Sequence, residues 1–152
     1  MPGVAQPPSI NPAAPPRQQG GAPTAGPLEA GGARILVVDD NADAALTLVE
    51  LLRVLGYQAE SAHDGERALR QLDIFRPQLA LLDISLPGMD GYELARQVRA
   101  RPDGAALRLV ALTGYGQEDD RARARAAGFD EHLVKPVEID QLTGTIERLL
   151  GG

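Results

Sequence analysis

The chain has 152 residues, no cysteine, no tryptophan and a formal net charge of -6. That length suits one domain with a core of Leu, Val, Ile and Ala, and the missing cysteines exclude disulfides, thiolate metal sites and cysteine nucleophiles. The acidic balance argues against a nucleic-acid-binding surface, and neither a secretory signal nor a run of ~20 apolar residues is present, so a cytoplasmic protein without direct DNA or membrane contact is expected.

Residues 1–33 hold eight of the twelve prolines and six of the seventeen glycines, and their only charged side chains are Arg17 and Glu29. Such a segment buries too little apolar surface to offset its ordering entropy. It reads as a disordered Pro/Gly-rich tail or linker. Pro12, Pro15, Pro16 and Arg17 come near a proline-rich docking motif without completing one, so a passive linker is the plainer reading. Residues 34–152 are the expected folded domain.

Ile35-Leu36-Val37-Val38 is a short apolar run, the mark of a strand buried on both faces. Asp39-Asp40-Asn41 breaks it. Leu48, Leu51, Leu52 and Leu55 then fall on one helical stripe, which Gly56 ends. Tyr57 to Ala62 reads as a second strand and Glu66 to Asp73 as a short helix after the Asp64-Gly65 turn. Leu79 to Leu82 is a third strand, ending at Asp83. Pro87-Gly88 forces a loop, and Asp90 to Arg99 is a helix with Leu94 and Val98 inward. Leu107 to Leu112 is a fourth strand, Gln117 to Ala127 a helix closed by Gly128, and Glu131 to Val134 a fifth strand. Glu138 to Leu150 is the last helix, with Ile139, Leu142, Ile146 and Leu149 on one side. Strands alternating with helices imply an α/β fold, a five-stranded parallel sheet covered on both faces.

Ligands of such sheets bind outside the carboxyl ends of the strands. Those ends carry Asp39-Asp40, Asp83, Thr113-Gly114 and Lys135-Pro136. Taken singly, an Asp at a strand end is often a helix cap or turn former. Taken together, the residues gather at one rim. Two carboxylates roughly 4 Å apart repel by about 4 kcal/mol at an effective dielectric of ~20, so a cluster of three calls for raised pKa values or a cation. Oxygen ligands suit Mg2+, which commonly shares its shell with a phosphate. Lys135 offers a point charge to a phosphoryl oxygen, Thr113 a hydroxyl, and Ser85 and Gly114 backbone N–H groups.

The segments ILVVDDN at 35–41, LALLDISLPGMDGYEL at 79–94, LVALTGYG at 109–116 and GFDEHLVKP at 128–136 resemble the receiver domain of two-component response regulators. The likeness runs from 34 to 150. It implies the flavodoxin-like strand order 2-1-3-4-5, phosphorylation of Asp83, and Mg2+ held by Asp40, Asp83 and the backbone carbonyl of Ser85, with Asp39 helping through water. It further implies that Thr113 and Lys135 contact the phosphoryl oxygens and that the Lys135-Pro136 bond is cis. Members of the family often carry Tyr or Phe where this chain has His132, a residue that swings inward as the threonine moves. His132 is therefore a candidate switch with different energetics and a charge open to pH. The HLVKP form looks like receivers attached to hybrid sensor kinases.

The resemblance implies a phosphorelay protein that takes a phosphoryl group from a phosphohistidine on a sensor histidine kinase or a histidine phosphotransfer protein. It accepts and loses its own phosphate rather than turning over an external substrate, so it is not expected to be an enzyme in the usual sense. Its readout should lie on the surface of the fourth helix, fifth strand and fifth helix. The arginines after Asp119-Asp120 read as a solvated face, with a docking patch as the sharper alternative. No output domain is expected after Leu150, and a monomer or weak dimer fits. Ser85 and Tyr115 flank the acceptor and are candidates for tuning hydrolysis.

Three rivals stand beside this. A degenerate receiver that only binds is opposed by the intact set Asp40, Asp83, Thr113 and Lys135. A flavin- or nucleotide-binding relative would need a Gly- or Ser/Thr-rich loop after the first strand, where Asp39-Asp40-Asn41 stands instead. A hydrolase with an aspartate nucleophile would need longer insertions for its pocket.

Overall fold

The computed structural model describes residues 32–114 and 121–151. Five strands alternate with five helices. The strands are β1 (Arg34–Val38), β2 (Gln58–Ala62), β3 (Leu79–Asp83), β4 (Arg108–Thr113) and β5 (Glu131–Val134). The helices are α1 (Ala42–Val54), α2 (Gly65–Ile74), α3 (Gly91–Arg99), α4 (Arg121–Ala127) and α5 (Ile139–Ile146). A 3-10 turn at Gly104–Ala106 precedes β4, and a π turn at Glu147–Gly151 extends α5. The sheet is parallel throughout, in the order β2-β1-β3-β4-β5, as the resemblance implies.

The apolar runs are continuous because alternate residues feed two cores. Ile35, Val37, Leu79, Leu81, Val110 and Leu112 face one side, where Leu48, Leu52, Leu142 and Ile146 of α1 and α5 cover them. Leu36, Val38, Ala80, Leu82, Leu109 and Ala111 face the other, under Ala68, Leu94, Val98, Ala124 and Ala127 of α2, α3 and α4. Helix starts follow the capping rule. Asn41, Asp64 and Asp90 each accept a backbone N–H three residues on, at 3.1, 2.8 and 2.8 Å. Gly56 and Gly128, at φ 102° and 113°, end α1 and α4 in the left-handed region where glycine is least strained.

Several details depart from the sequence reading. Gly32 and Ala33, assigned there to the tail, are tied to the start of β2: the Gln58 side chain donates to the Gly32 carbonyl and its backbone N–H to the Ala33 carbonyl, and Ala33 is buried. Ile139 does not face the core. It is 50% exposed because it is the first residue of α5, and the buried stripe instead uses Leu142, Thr145 and Ile146. In α1 the stripe centres on Ala45, Leu48, Val49 and Leu52, while Leu51 and Leu55 pack at its margin. The rest of the tail, and residues Gln117 to Asp120 of the expected fourth helix, lie outside the described residues.

Candidate functional site

The strand order reverses between β1 and β3: β2 lies on one side of β1, and β3 on the other. Val38 pairs with Leu82, so Asp39 and Asp83 emerge side by side at this switch point. Both are nearly inaccessible, 1% and 5% exposed. Asp40 follows Asp39 and is exposed. Each of the three offers a carboxylate oxygen, and these oxygens all lie within 4.8 Å of one another.

Lys135 closes the cluster from the end of β5. Its Nζ donates to Asp83 Oδ2 at 2.9 Å and to Asp39 Oδ2 at 3.1 Å. Its backbone N–H donates to the Thr113 carbonyl at 2.7 Å, which fixes the end of β5 against β4. Burial works to lower the lysine's pKa, but the hydrogen bonds and charges of Asp83 and Asp39 outweigh it and hold the pKa above its ordinary value. The Lys135-Pro136 bond is cis, as the resemblance implies.

Backbone amides orient the two buried carboxylates. The N–H of Asn41 donates to Asp39 Oδ1 at 3.0 Å, and the N–H of Ser85 donates to Asp83 Oδ1 at 2.8 Å. The Ser85 amide, expected as a phosphate donor, thus already serves Asp83 itself. Thr113 is buried and its hydroxyl turns away from the acids, donating to the Leu133 carbonyl at 3.4 Å. Gly114 follows directly at the end of β4. The residues that the sequence places at this rim do meet there. The structure ties the carboxylates of Asp39 and Asp83 to the Lys135 ammonium and the Ser85 amide by hydrogen bonds, with Asp40 beside them, while Thr113 meets Lys135 only through its backbone carbonyl and keeps its hydroxyl on Leu133.

His132 is half-buried on β5 and lines the surface between α4 and α5 with Arg121 and Arg148. The arginines of α4 are exposed, as expected of a solvated face. Arg123 also lays its guanidinium over the Tyr92 ring, 4.1 Å from the centroid. Tyr115 lies outside the described residues.

Gly91, the first residue of α3, carries no site role in the sequence reading. A Cβ there would come within 2.5 Å of the Ile84 Cα and 2.7 Å of the Asp83 carbonyl. Only glycine lets α3 begin this close to the acidic strand end. Pro87-Gly88-Met89-Asp90-Gly91 signals a loop, but nothing in the spacing says that the loop folds back onto Asp83.

The arrangement suits a hard divalent cation. Carboxylate oxygens at short mutual distances are the donors Mg2+ prefers, and Asp40, exposed beside two buried acids, leaves a side open to water and a phosphate. Fold and site together define a doubly wound α/β domain with an acidic, lysine-closed rim.

Comparison with known proteins places that class. The response regulator receiver domain model matches residues 35–147, and the chain belongs to that family. It is 38% identical over 114 residues to a 14.6 kDa protein of Leptolyngbya boryana, covering 75% of this chain and 87% of that one. It is 33% identical over 117 residues to the phosphate regulon transcriptional regulatory protein PhoB of Rhizobium meliloti, covering 77% of this chain and 52% of PhoB. The chain thus spans about half the length of the transcriptional regulators that it matches. The receiver domain of the Pseudomonas aeruginosa sensor histidine kinase PA1611, solved with magnesium in its active-site cleft, aligns with a TM-score of 0.72. That alignment has 33% identity and covers 80% of this chain and 99% of that domain. Among the described residues, no helix is long and apolar enough to cross a membrane.

Proposed function

We propose that this receiver domain accepts a phosphoryl group onto Asp83 from a phosphohistidine of a sensor histidine kinase or histidine phosphotransfer protein. One observation carries the reading: the Asp83 carboxylate stands 2.9 Å from the Lys135 ammonium, inside a cluster of acids whose oxygens lie within 4.8 Å. A carboxylate oxygen of Asp83 attacks phosphorus, the phosphorus–nitrogen bond of the phosphohistidine breaks, and its electron pair stays on the departing imidazole. The product is an acyl phosphate, later hydrolysed, so the domain is a self-modified acceptor rather than a turnover enzyme.

Mg2+, held by Asp40, Asp83 and the Ser85 carbonyl with Asp39 acting through water, would offset charge on the phosphoryl oxygens. Lys135 leaves one of its two carboxylate partners for a phosphoryl oxygen. The Ser85 amide, already aimed at Asp83, keeps the attacking group oriented. The Thr113 hydroxyl has only a long bond to give up and turns to the phosphate. Its movement opens room beside β5, where His132 sits, and carries the signal to the α4–β5–α5 surface. A phosphohistidine donor, formed where kinases meet ATP, supports a cytoplasmic location for the domain.

The test is incubation with acetyl phosphate, followed by intact mass. The expected result is one added phosphate in the presence of magnesium and none after its chelation or in Asp83→Asn. Equal labelling of Asp83→Asn, or none of the unaltered protein, overturns the assignment.

A further inference from the structure

A cavity of about 540 Å³ lies at the end of the sheet opposite the carboxylate rim. It is lined by Arg34 and Arg108, the first residues of β1 and β4, and by Arg76 and Gln78 before β3. The carboxylate rim is at the opposite strand ends, so the two sites are separated by the length of the sheet.

The charge of this cavity opposes that of the chain. Four arginines, Arg34, Arg76, Arg101 and Arg108, face two aspartates, Asp73 and Asp103. That is a local excess of two positive charges in a protein of net charge -6. Asp73 is already engaged by Arg101. The side chains of Arg76 and Arg108 make no ion pair or hydrogen bond with the described residues, and Arg34 uses only its Nε, which donates to the Arg76 carbonyl at 2.8 Å. That bond also holds Arg76 at φ 53°, in the left-handed region that non-glycine residues rarely occupy.

The cavity is built rather than incidental. Arg99, at the end of α3, ties its wall from behind by donating to the carbonyls of Gly104 and Leu107 and, across the fold, to Gly128. A Cβ at Gly104 would collide with the Val98 carbonyl, so the 3-10 turn is seated directly on α3. Leu72, Val98, Leu107, Leu149 and Leu150 provide an apolar floor. A fixed wall, free guanidinium forks and an apolar floor fit a ligand with an anionic end and an apolar or planar body. The volume falls within the roughly 300–1,000 Å³ of small-molecule sites.

We propose that this cavity binds an organic phosphate of nucleotide size. Its phosphates are held by Arg76, Arg108 and the free Nη groups of Arg34, and its body rests on the apolar floor. Guanidinium groups pair bidentately with phosphate oxygens, and a diphosphate brings several negative charges within reach of three forks, which a single carboxylate does not.

The experiment is titration of the full chain, free of magnesium, with ADP and separately with inorganic pyrophosphate, followed by calorimetry and backbone amide shifts. Saturable ADP binding is expected, with shifts at Arg34, Arg76, Leu107 and Arg108 and weaker binding of pyrophosphate. The exposed double variant Arg76→Ala/Arg108→Ala should lose affinity for ADP at least about tenfold while still taking up phosphate from acetyl phosphate, which verifies its fold. Absence of saturable ADP binding, an unchanged affinity in the double variant, shifts confined to the Asp39 and Asp83 rim, or pyrophosphate binding as tightly as ADP would each overturn the proposal.

Discussion

Lys135 sets its ammonium between two carboxylates that have almost no contact with water, and is itself 32% exposed. Removing it would leave Asp39 and Asp83 as buried charges without a counter-ion, the costly half of any buried pair. Lys135→Met is therefore expected to lose about 2 kcal/mol of stability at pH 7, the low side of the usual penalty because the lysine is partly solvated. The loss should shrink when magnesium is added, because a divalent ion takes over the same charges. Urea unfolding of the two proteins, with and without the ion, measures both effects; a deficit that ignores magnesium would mean that the acids do not share a cation site. At this scale much was legible. Asp39, Asp40, Asp83, Thr113 and Lys135 stand out because each lies at the carboxyl end of a strand or within two residues past it. What each atom touches was not legible: the Thr113 hydroxyl turns to the Leu133 carbonyl, and the Ser85 amide is taken by Asp83.

Arg99 shows how the elements are held together. It donates to the carbonyls of Gly104, Leu107 and Gly128 and to Asp130 Oδ2, joining the end of α3 to the approaches of β4 and β5. Asp130 in turn accepts the Leu109 amide at 2.9 Å. A lysine keeps the charge but not the fork, so Arg99→Lys is expected to cost about 2 kcal/mol in chemical denaturation. Protection of the Leu109 amide from hydrogen exchange should fall with it, whereas an unaltered rate would show that Asp130 holds the strand alone. Element types were readable from period and punctuation: apolar runs for β1, β3 and β4, a stripe for α1, glycines at its end and at that of α4. Ile139 was misplaced because periodicity assigns a face without saying where the helix begins relative to the sheet. Residues in the first turn of α5 extend past the strands and meet solvent.

The whole molecule carries a pH dependence at its alkaline side. Tyr57, buried beside α1, has its pKa raised by burial first and by the charge of Glu147 second. A raised folded-state pKa means that the native state keeps a proton which the unfolded chain releases. This contribution is fully present below pH 10.0, the ordinary tyrosine value, and is lost as pH rises through the higher folded-state value. Thermal unfolding at a series of alkaline pH values should show a decline that Tyr57→Phe reduces. Identical declines in the two proteins would assign the effect elsewhere.

The sequence by itself determined the alternation of strand and helix, the two-faced core and the identities of the rim residues, because these follow from hydropathy period, turn chemistry and the rule that ligands meet a parallel sheet at its carboxyl ends. Only the tertiary structure decided which of those residues bond to one another, for Lys135 lies 96 positions from Asp39 and 52 from Asp83. It also decided why Gly91 must lack a side chain and that arginines from four separate segments converge on one cavity. Such meetings depend on how helices seat against the sheet to within an ångström or two, a property of packing that no local pattern of residues records.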